Sequence, residues 1–230
     1  MKKILKVWNN NKGFILFLFL MLFFRSAIAD WYHVPSGSMQ PTVLIGDRVY
    51  VNKLAFDVKI PFTDINLNRR AEPQRGDVIV FDSQASNERL IKRVVGIPGD
   101  TVELRNNRLY LNQQPVTVEQ IEYPADFDAF LNDRNVAAYY RESFELDGFA
   151  NTHEIRVRVD RLKRLSSFAP IEIPSDSYWV MGDNRDNSAD SRVIGFVPRK
   201  ELIGRAENVI ISFDKENYYL PRDERYSVEL

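Results

Sequence analysis

A serine in a short polar turn and a lysine in an apolar run are the residues of this chain best suited to catalysis. Ser38 closes a Ser-Gly-Ser sequence, and Lys92 lies within Leu-Ile-Lys-Arg-Val-Val, residues 90–95. The chain has no cysteine and only two histidines, so a nucleophilic serine would need a base other than the usual imidazole. A lysine can serve as that base when burial keeps its amine neutral. Lys92, with its apolar neighbours, meets this requirement.

Simpler interpretations exist for both residues. A Ser-Gly-Ser sequence taken alone is more typical of a turn, and Lys92 and Arg93 could both be solvated on an edge strand. Successive residues of a strand point to opposite faces, so one of the two cations faces inward if either face packs on a core. Lys53 is the rival base, although its position near a turn favours a solvated charge. His33 and His153 are expected to be incidental.

A third segment, residues 181–192, is strongly polar and reads Met-Gly-Asp-Asn-Arg-Asp-Asn-Ser-Ala-Asp-Ser-Arg. Its acids, Asp183, Asp186 and Asp190, lack the alternate spacing and closing glutamate of an EF-hand calcium loop. The segment is better interpreted as a densely hydrogen-bonded loop that braces a site.

The charge distribution separates the N-terminus from the rest of the chain. Residues 1–29 contain five basic residues and no acid, which leaves 26 basic and 32 acidic residues, a net charge of −6, for residues 30–230. That excess argues against a nucleic-acid partner, which calls for a basic face. The absence of cysteine suits an extracytoplasmic domain and excludes disulfides and thiolate metal sites.

The apolar segment 13–29 permits two interpretations. It could be a cleaved secretory signal, with Ala27-Ile28-Ala29 as the cleavage site before Asp30. It could equally be a retained transmembrane helix, with aromatic residues such as Trp8 and Trp31 at the two interfaces. Both interpretations place the basic N-terminus in the cytoplasm and residues 30–230 outside.

Beyond residue 30 the pattern is mostly that of short strands, so the predicted fold class is mostly β. Period-two alternation or short apolar runs predict strands at 47–52, 78–81, 90–95, 101–104, 108–111, 155–159, 178–181, 193–197 and 208–213. The one weak helical candidate is about 125–140. Residues 105–170 are more polar and less regular and are interpreted as an insertion into a core formed by 30–104 and 171–213. Residues 214–230 are expected to be a loose tail.

In this order, residues 36–42, 89–100 and 181–192 resemble the motifs of bacterial type I signal peptidases, membrane-bound serine proteases that remove signal peptides from exported preproteins. The resemblance extends to four further stretches and covers most of the chain between 35 and 213. These stretches are residues 45–47, 75–81, 145–148 and 195–206.

The resemblance implies a role for each matching residue. Ser38 is implied as the acylating nucleophile, Lys92 as its general base, and Ser188 as the residue that orients the lysine. The Ser36 hydroxyl and the Ser38 backbone N–H resemble an oxyanion hole. Four further residues match positions that brace the site: Arg93, Asp183, Asp190 and Arg192. No metal or organic cofactor is implied.

The family also favours the retained anchor, because tethering an enzyme at the surface where its substrates emerge raises their effective concentration. The predicted protein has a cytoplasmic N-terminus (1–12), a single transmembrane helix (13–29) in contact with lipid of the bacterial plasma membrane, and an extracytoplasmic β-rich catalytic core. Its expected partners are the signal peptides of preproteins, bound extended along a strand edge. Two alternatives remain: a peptidase dedicated to a few pilin or conjugation precursors, and a catalytically silent β-domain that binds other proteins.

Overall fold

The computed structural model describes residues 2–63, 65–124, 127, 137–146, 149–159, 165–214 and 217–230, with side chains from residue 11 onward except those of residues 146 and 149. As predicted, strands predominate in this part of the chain. The strands are β1 (Ala29–His33), β2 (Asp47–Asn52), β3 (Asp57–Lys59), β4 (Asn66–Arg69), β5 (Val78–Ser83), β6 (Glu88–Gly96), β7 (Thr101–Arg105), β8 (Arg108–Leu111), β9 (Gln114–Pro115), β10 (Thr117–Ile121), β11 (Ala137–Leu146), β12 (Phe149–Arg158), β13 (Phe168–Glu172), β14 (Ser177–Met181), β15 (Val197–Pro198), β16 (Leu202–Asp214), β17 (Leu220–Pro221) and β18 (Val228–Glu229).

Most of the apolar N-terminal segment is helical. Helix α1 (Lys2–Ala27) leads directly into β1. Its large apolar side chains are exposed on all sides; Phe14, Phe17 and Leu20 each expose more than half of their surface. Within the residues described in full, no helix has both the length and the hydropathy that a membrane crossing requires.

The largest sheet carries the site. Its strand order is β1-β2-β16-β5-β6-β14-β15, and β17 and β18 pair with β16. In β5, Val78 and Val80 pack into one apolar cluster while Ile79 and Phe81 pack into another. An apolar strand with buried groups on both faces is a central strand, so β5 and its hairpin partner β6 are held firmly from both sides.

Three smaller sheets complete the described part. They have the orders β13-β7-β8-β9, β10-β11-β12 and β3-β4. The predicted hairpin at 105–107 is confirmed: Arg105 pairs with Arg108, and Asn106 and Asn107 both adopt positive φ, as a two-residue type I′ turn requires.

Three expectations need correction. Residues 193–197 are not a continuous strand, because the Asp190 side chain caps a short helix, α2 (Ser191–Ile194). The segment after Asp214 is not loose, since β17 and β18 pair with β16 and Arg225 donates to the Asp47 carboxylate. Of the helical candidate 125–140, residues 137–140 belong to β11, and all the others except residue 127 lie outside the described residues.

Candidate active site

Ser38 lies in the turn that leaves β1, and its backbone is held by a residue far away in the chain. Asn184 donates its backbone N–H to the Ser38 carbonyl (3.1 Å) and its side-chain amide to the Gly37 carbonyl (3.0 Å). The next residue, Met39, is fully buried in the apolar cluster of β2 and β5. Ser38 itself is 7% exposed, so its side chain is almost entirely enclosed by protein.

Lys92 reaches Ser38 from β6. Its Nζ lies 2.8 Å from Ser38 Oγ and donates at the same distance to the Ile91 carbonyl. The lysine is 2% exposed. Burial disfavours the ammonium form and lowers the pKa of Lys92 to about 8, although Asp190 and Asp183 oppose the shift. The structure therefore places a hydroxyl beside an amine that deprotonates near neutral pH.

Arg93, the next residue of β6, points to the other face. Its guanidinium binds both carboxylate oxygens of Asp183, at 2.9 and 2.8 Å, and also donates to the Gly76 carbonyl. Burial alone would raise the pKa of Asp183, but Arg93 holds it below its ordinary value, and a hydrogen bond from Thr42 adds to this effect. Because Asp183 also precedes Asn184, the ion pair anchors the segment that holds the Ser38 backbone.

Asp190 and Arg192 form a second buried pair at the other end of that loop. Arg192 donates to both carboxylate oxygens of Asp190 at 2.8 Å, and the Gly182 N–H donates to the same carboxylate. Burial would raise the pKa of Asp190, but Arg192 lowers it overall. The two ion pairs thus fix residues 182–192 at both ends.

Ser188 lies inside this loop against the nucleophile's turn. A Cβ added to Gly182 would lie 2.3 Å from Ser188 Oγ and 2.4 Å from the Ser38 carbonyl oxygen, so only glycine fits between them. Ser188 Oγ is buried and makes no hydrogen bond of good geometry within the described residues, although it is close enough to Asp190 to help lower that carboxylate's pKa.

Three other predicted or considered residues take no part in the Ser38–Lys92 contact itself. Ser36 is exposed, two residues before Ser38. The rival base Lys53 donates to the Arg25 carbonyl at the end of α1 and lies 3.4 Å from the Asp30 carboxylate. His33 is exposed on β1.

The region around His153 packs against the loop that braces the site. His153 is buried with Nε2 3.3 Å from Glu142, whose carboxylate binds the Arg185 guanidinium in two places. Burial lowers the pKa of His153, and the nearby charge of Arg93 lowers it further. The β11–β12 hairpin therefore packs beneath the loop 182–192, and the bridge between Arg156 and Asn184 joins the two.

The sequence interpretation missed Thr42, Asn184 and the Arg185–Glu142 pair. Asn184 and Arg185 lie inside the polar segment that was recognised as a brace, so the segment itself was the available signal. Glu142 lies 43 residues before its partner and gave no local signal. Within the described part of the chain, no three His, Asp or Glu residues cluster as metal ligands would.

Comparisons with known proteins agree in one family. A profile described as signal peptidase, peptidase S26, matches residues 7–211. The signal peptidase I of Pseudomonas aeruginosa is 36% identical over 232 residues, covering 95% of this chain and 78% of the relative. That of Pseudomonas fluorescens is 35% identical, covering 88% and 72%, and that of Aquifex aeolicus is 35% identical, covering 83% and 79%. A crystal structure of a signal peptidase I from Enterococcus faecalis is 29% identical over 59% of this chain and 97% of that one. Its TM-score of 0.34 is too low to compare the folds.

Proposed function

The chain belongs to the signal peptidase family, peptidase S26, and is a serine endopeptidase; from this we propose that Ser38 and Lys92 are the catalytic dyad with which it removes signal peptides from preproteins. The single observation that carries the proposal is the 2.8 Å contact between Lys92 Nζ and Ser38 Oγ in a buried setting. With a pKa of about 8, about a tenth of the lysine is neutral at pH 7.

The dyad would catalyse two successive steps, acylation and deacylation of Ser38. Ser38 Oγ attacks the scissile carbonyl carbon while Lys92 Nζ accepts the hydroxyl proton, which yields a tetrahedral oxyanion. Collapse breaks the C–N bond, the Lys92 ammonium protonates the leaving amine, and an acyl ester of Ser38 remains. Lys92 then takes a proton from water as the water attacks the ester, and collapse releases the new carboxyl end and returns the proton to Ser38.

The oxyanion would be stabilised by the Ser38 backbone N–H and the Ser36 hydroxyl. Within the described residues the Ser38 N–H has no acceptor, and Ser36 is exposed towards solvent, so both donors are available to a substrate. Donors that are already in place cost no reorganisation when the charge develops. Ser188 makes no hydrogen bond to Lys92 in the described residues; the family resemblance is what supports its role in orienting the Lys92 amine. On that role, its replacement should lower kcat more than it shifts the pH dependence.

The substrate would bind extended, as an added strand. β14 pairs with β6 only from Arg93 onward, which leaves residues 88–92 without a strand partner on that side among the described residues. β1 is likewise a terminal strand of the sheet. Two unpaired edges next to the Ser38–Lys92 contact suit main-chain pairing, and small side chains one and three residues before the scissile bond follow from the family resemblance.

The apolar helix α1 would remain on the protein as its single membrane anchor, with the N-terminus in the cytoplasm of a bacterium. Its exposed phenylalanines and leucines need an apolar surrounding. The competing cleavage site, between Ala29 and Asp30, lies within β1, where both residues are buried and paired with β2. N-terminal sequencing of the membrane-extracted protein should give residue 1 or 2; Asp30 as the first residue would show that the segment is a cleaved signal.

The test of the function is cleavage of a preprotein by the purified full chain. We expect one cut, directly after the signal peptide, with the wild type and none with Ser38→Ala. A wild type that binds the preprotein without cutting it would favour the silent binding domain. Activity on pilin-type precursors alone, with none on general preproteins, would favour a dedicated peptidase.

A further inference from the structure

A polar cleft lies between the end of α1 and the two unpaired strand edges, and we call it the entry cleft. Its volume is about 300 Å³. It is lined by three cations, Lys53, Lys59 and Arg89, and by two carboxylates, Asp30 and Asp82. The dyad described above uses none of these residues.

The entry cleft lies beside the same strand, β6, that carries the catalytic lysine. Arg89 precedes Lys92 by three residues on β6, which is about 10 Å of extended chain at roughly 3.3 Å per residue. The Arg89 guanidinium stacks over the Tyr32 ring of β1, 4.8 Å from its centroid. This contact joins the two unpaired edges, so a peptide lying between them passes Arg89 as it approaches the end of α1.

The charges of the entry cleft are unevenly compensated. Asp82 is bound by Arg89, and Asp30 is shared by Arg25 and Lys53. Lys59 donates one hydrogen bond, to the Leu202 carbonyl, and has no carboxylate partner within the described residues. Of the cations in the cleft, Lys59 is therefore the one with charge and donors left for a ligand.

We propose that the entry cleft is a specificity site that holds the substrate residue four to six positions before the scissile bond and prefers a carboxylate there to an ammonium or guanidinium. The proposal rests on the proposed function, which directs the upstream part of the substrate towards the membrane and hence towards α1. The spacing follows from the distance along β6, and the preference follows from the excess of positive charge.

The preference should be modest, because Arg89 and Asp82 are about half exposed. Ion pairs at exposed sites contribute up to about 1 kcal/mol, which corresponds to a factor of about five in kcat/KM. Added salt should weaken it, since exposed charges are screened.

The experiment uses fluorogenic peptides with alanine one and three residues before the cut and glutamate, glutamine or lysine at position four, five or six. The full chain in detergent is compared with Lys59→Glu. For the wild type we expect kcat/KM to be about three- to fivefold higher for the glutamate than for the lysine peptide at one of these positions. In Lys59→Glu this ratio should invert. Lys200→Glu, an exposed lysine outside the entry cleft, should keep the wild-type ratio.

Equal kcat/KM for the glutamate and lysine peptides in the wild type would overturn the proposal, as would a ratio that Lys59→Glu leaves unchanged. If Lys59→Glu does not fold, Lys59→Met should bring the ratio close to one. Cleavage of the glutamine peptide tests the proposed function separately, because it does not depend on charge. A ratio of one together with weaker binding of Lys59→Met to phosphatidylglycerol vesicles would instead identify a lipid-headgroup site and overturn the proposal.

Discussion

Lys92 and Arg93 are adjacent, equally buried cations of one strand, but only Arg93 has an ion-pair partner among the described residues. Arg93 meets a carboxylate in two hydrogen bonds, whereas Lys92 has no ion-pair partner among the described residues and contacts a hydroxyl and a carbonyl. A carboxylate partner stabilises the charged form of a buried cation, and the ion pair anchors the segments that carry it. Without such a partner, burial lowers the pKa of the cation, which can then act as a base. The comparison shows how one strand supplies both the chemistry and the brace of the site.

The largest effect should come from removing the unpaired cation. Since Ser38 and Lys92 act as one unit, Ser38→Ala, Lys92→Ala and the double variant should all lose activity by roughly 10⁴-fold or more, to a similar residual level. Lys92→Arg should be equally inactive, because a guanidinium does not deprotonate in proteins. Peptide cleavage measures this, with Lys200→Ala as the control. A Lys92→Ala enzyme that keeps a tenth of the wild-type rate would refute the dyad.

For the stability of the protein the order should be reversed: replacing Arg93 should destabilise the fold more than replacing Lys92. Arg93→Met leaves the Asp183 carboxylate buried and unpaired, which should lower the free energy of unfolding by about 3–5 kcal/mol. For a chain of this size that is a fall of roughly 6–20 °C in Tm. Lys92→Met removes a desolvated amine and should leave Tm unchanged or raised. Thermal unfolding of the two variants in detergent checks the contrast, and equal losses would contradict it.

The oxyanion donor should have an intermediate effect. Ser36→Ala should reduce kcat by about 10²–10³ with little change in KM, because its hydroxyl would contact charge that exists only in the transition state. Steady-state kinetics with the peptide substrates measures both constants. A raised KM with unaltered kcat would instead assign Ser36 to ground-state substrate binding.

A change of one pH unit should have the smallest effect on activity. The kcat/KM of the wild type should rise tenfold per pH unit and level off near the Lys92 pKa of about 8. An ascending limb that levels off only near pH 10 would show an ordinary exposed lysine and require another base.

The same pKa has a consequence for stability. The folded pKa of about 8 lies below the ordinary 10.5, so between these values the unfolded chain binds more protons and stability rises with pH. Below pH 8 the lysine is charged in both states, and its burial costs about 3 kcal/mol. The free energy of unfolding of the wild type should therefore increase relative to that of Lys92→Met between pH 8 and 10.5. A difference that stays constant over this range would contradict the assignment.

Local patterns predicted most of the central strands, because burial on one face gives alternation at period two and burial on both faces gives a short apolar run. The strand at 47–52 and the strands of the β5–β6 hairpin are examples. The pairing of the C-terminal strands with β16 was not predictable, since it depends on backbone edges far away in the chain. The strand predicted at 193–197 failed because the Asp190 cap favours a helical turn over the β propensity of the valines.

From the sequence alone came the residue types on which the chemistry depends: a serine after a glycine, a lysine among branched apolar residues, and an arginine on the opposite face. Only the tertiary structure decided which cation would be paired. Asp183, 90 residues from Arg93, meets the guanidinium and not the amine. The physical reason is that a pKa is set by burial and by charges close in space. The apolar run around Lys92 predicts that the lysine is buried. The position of a carboxylate on a distant loop is fixed only when the sheet, the loop and the hairpin beneath it pack together.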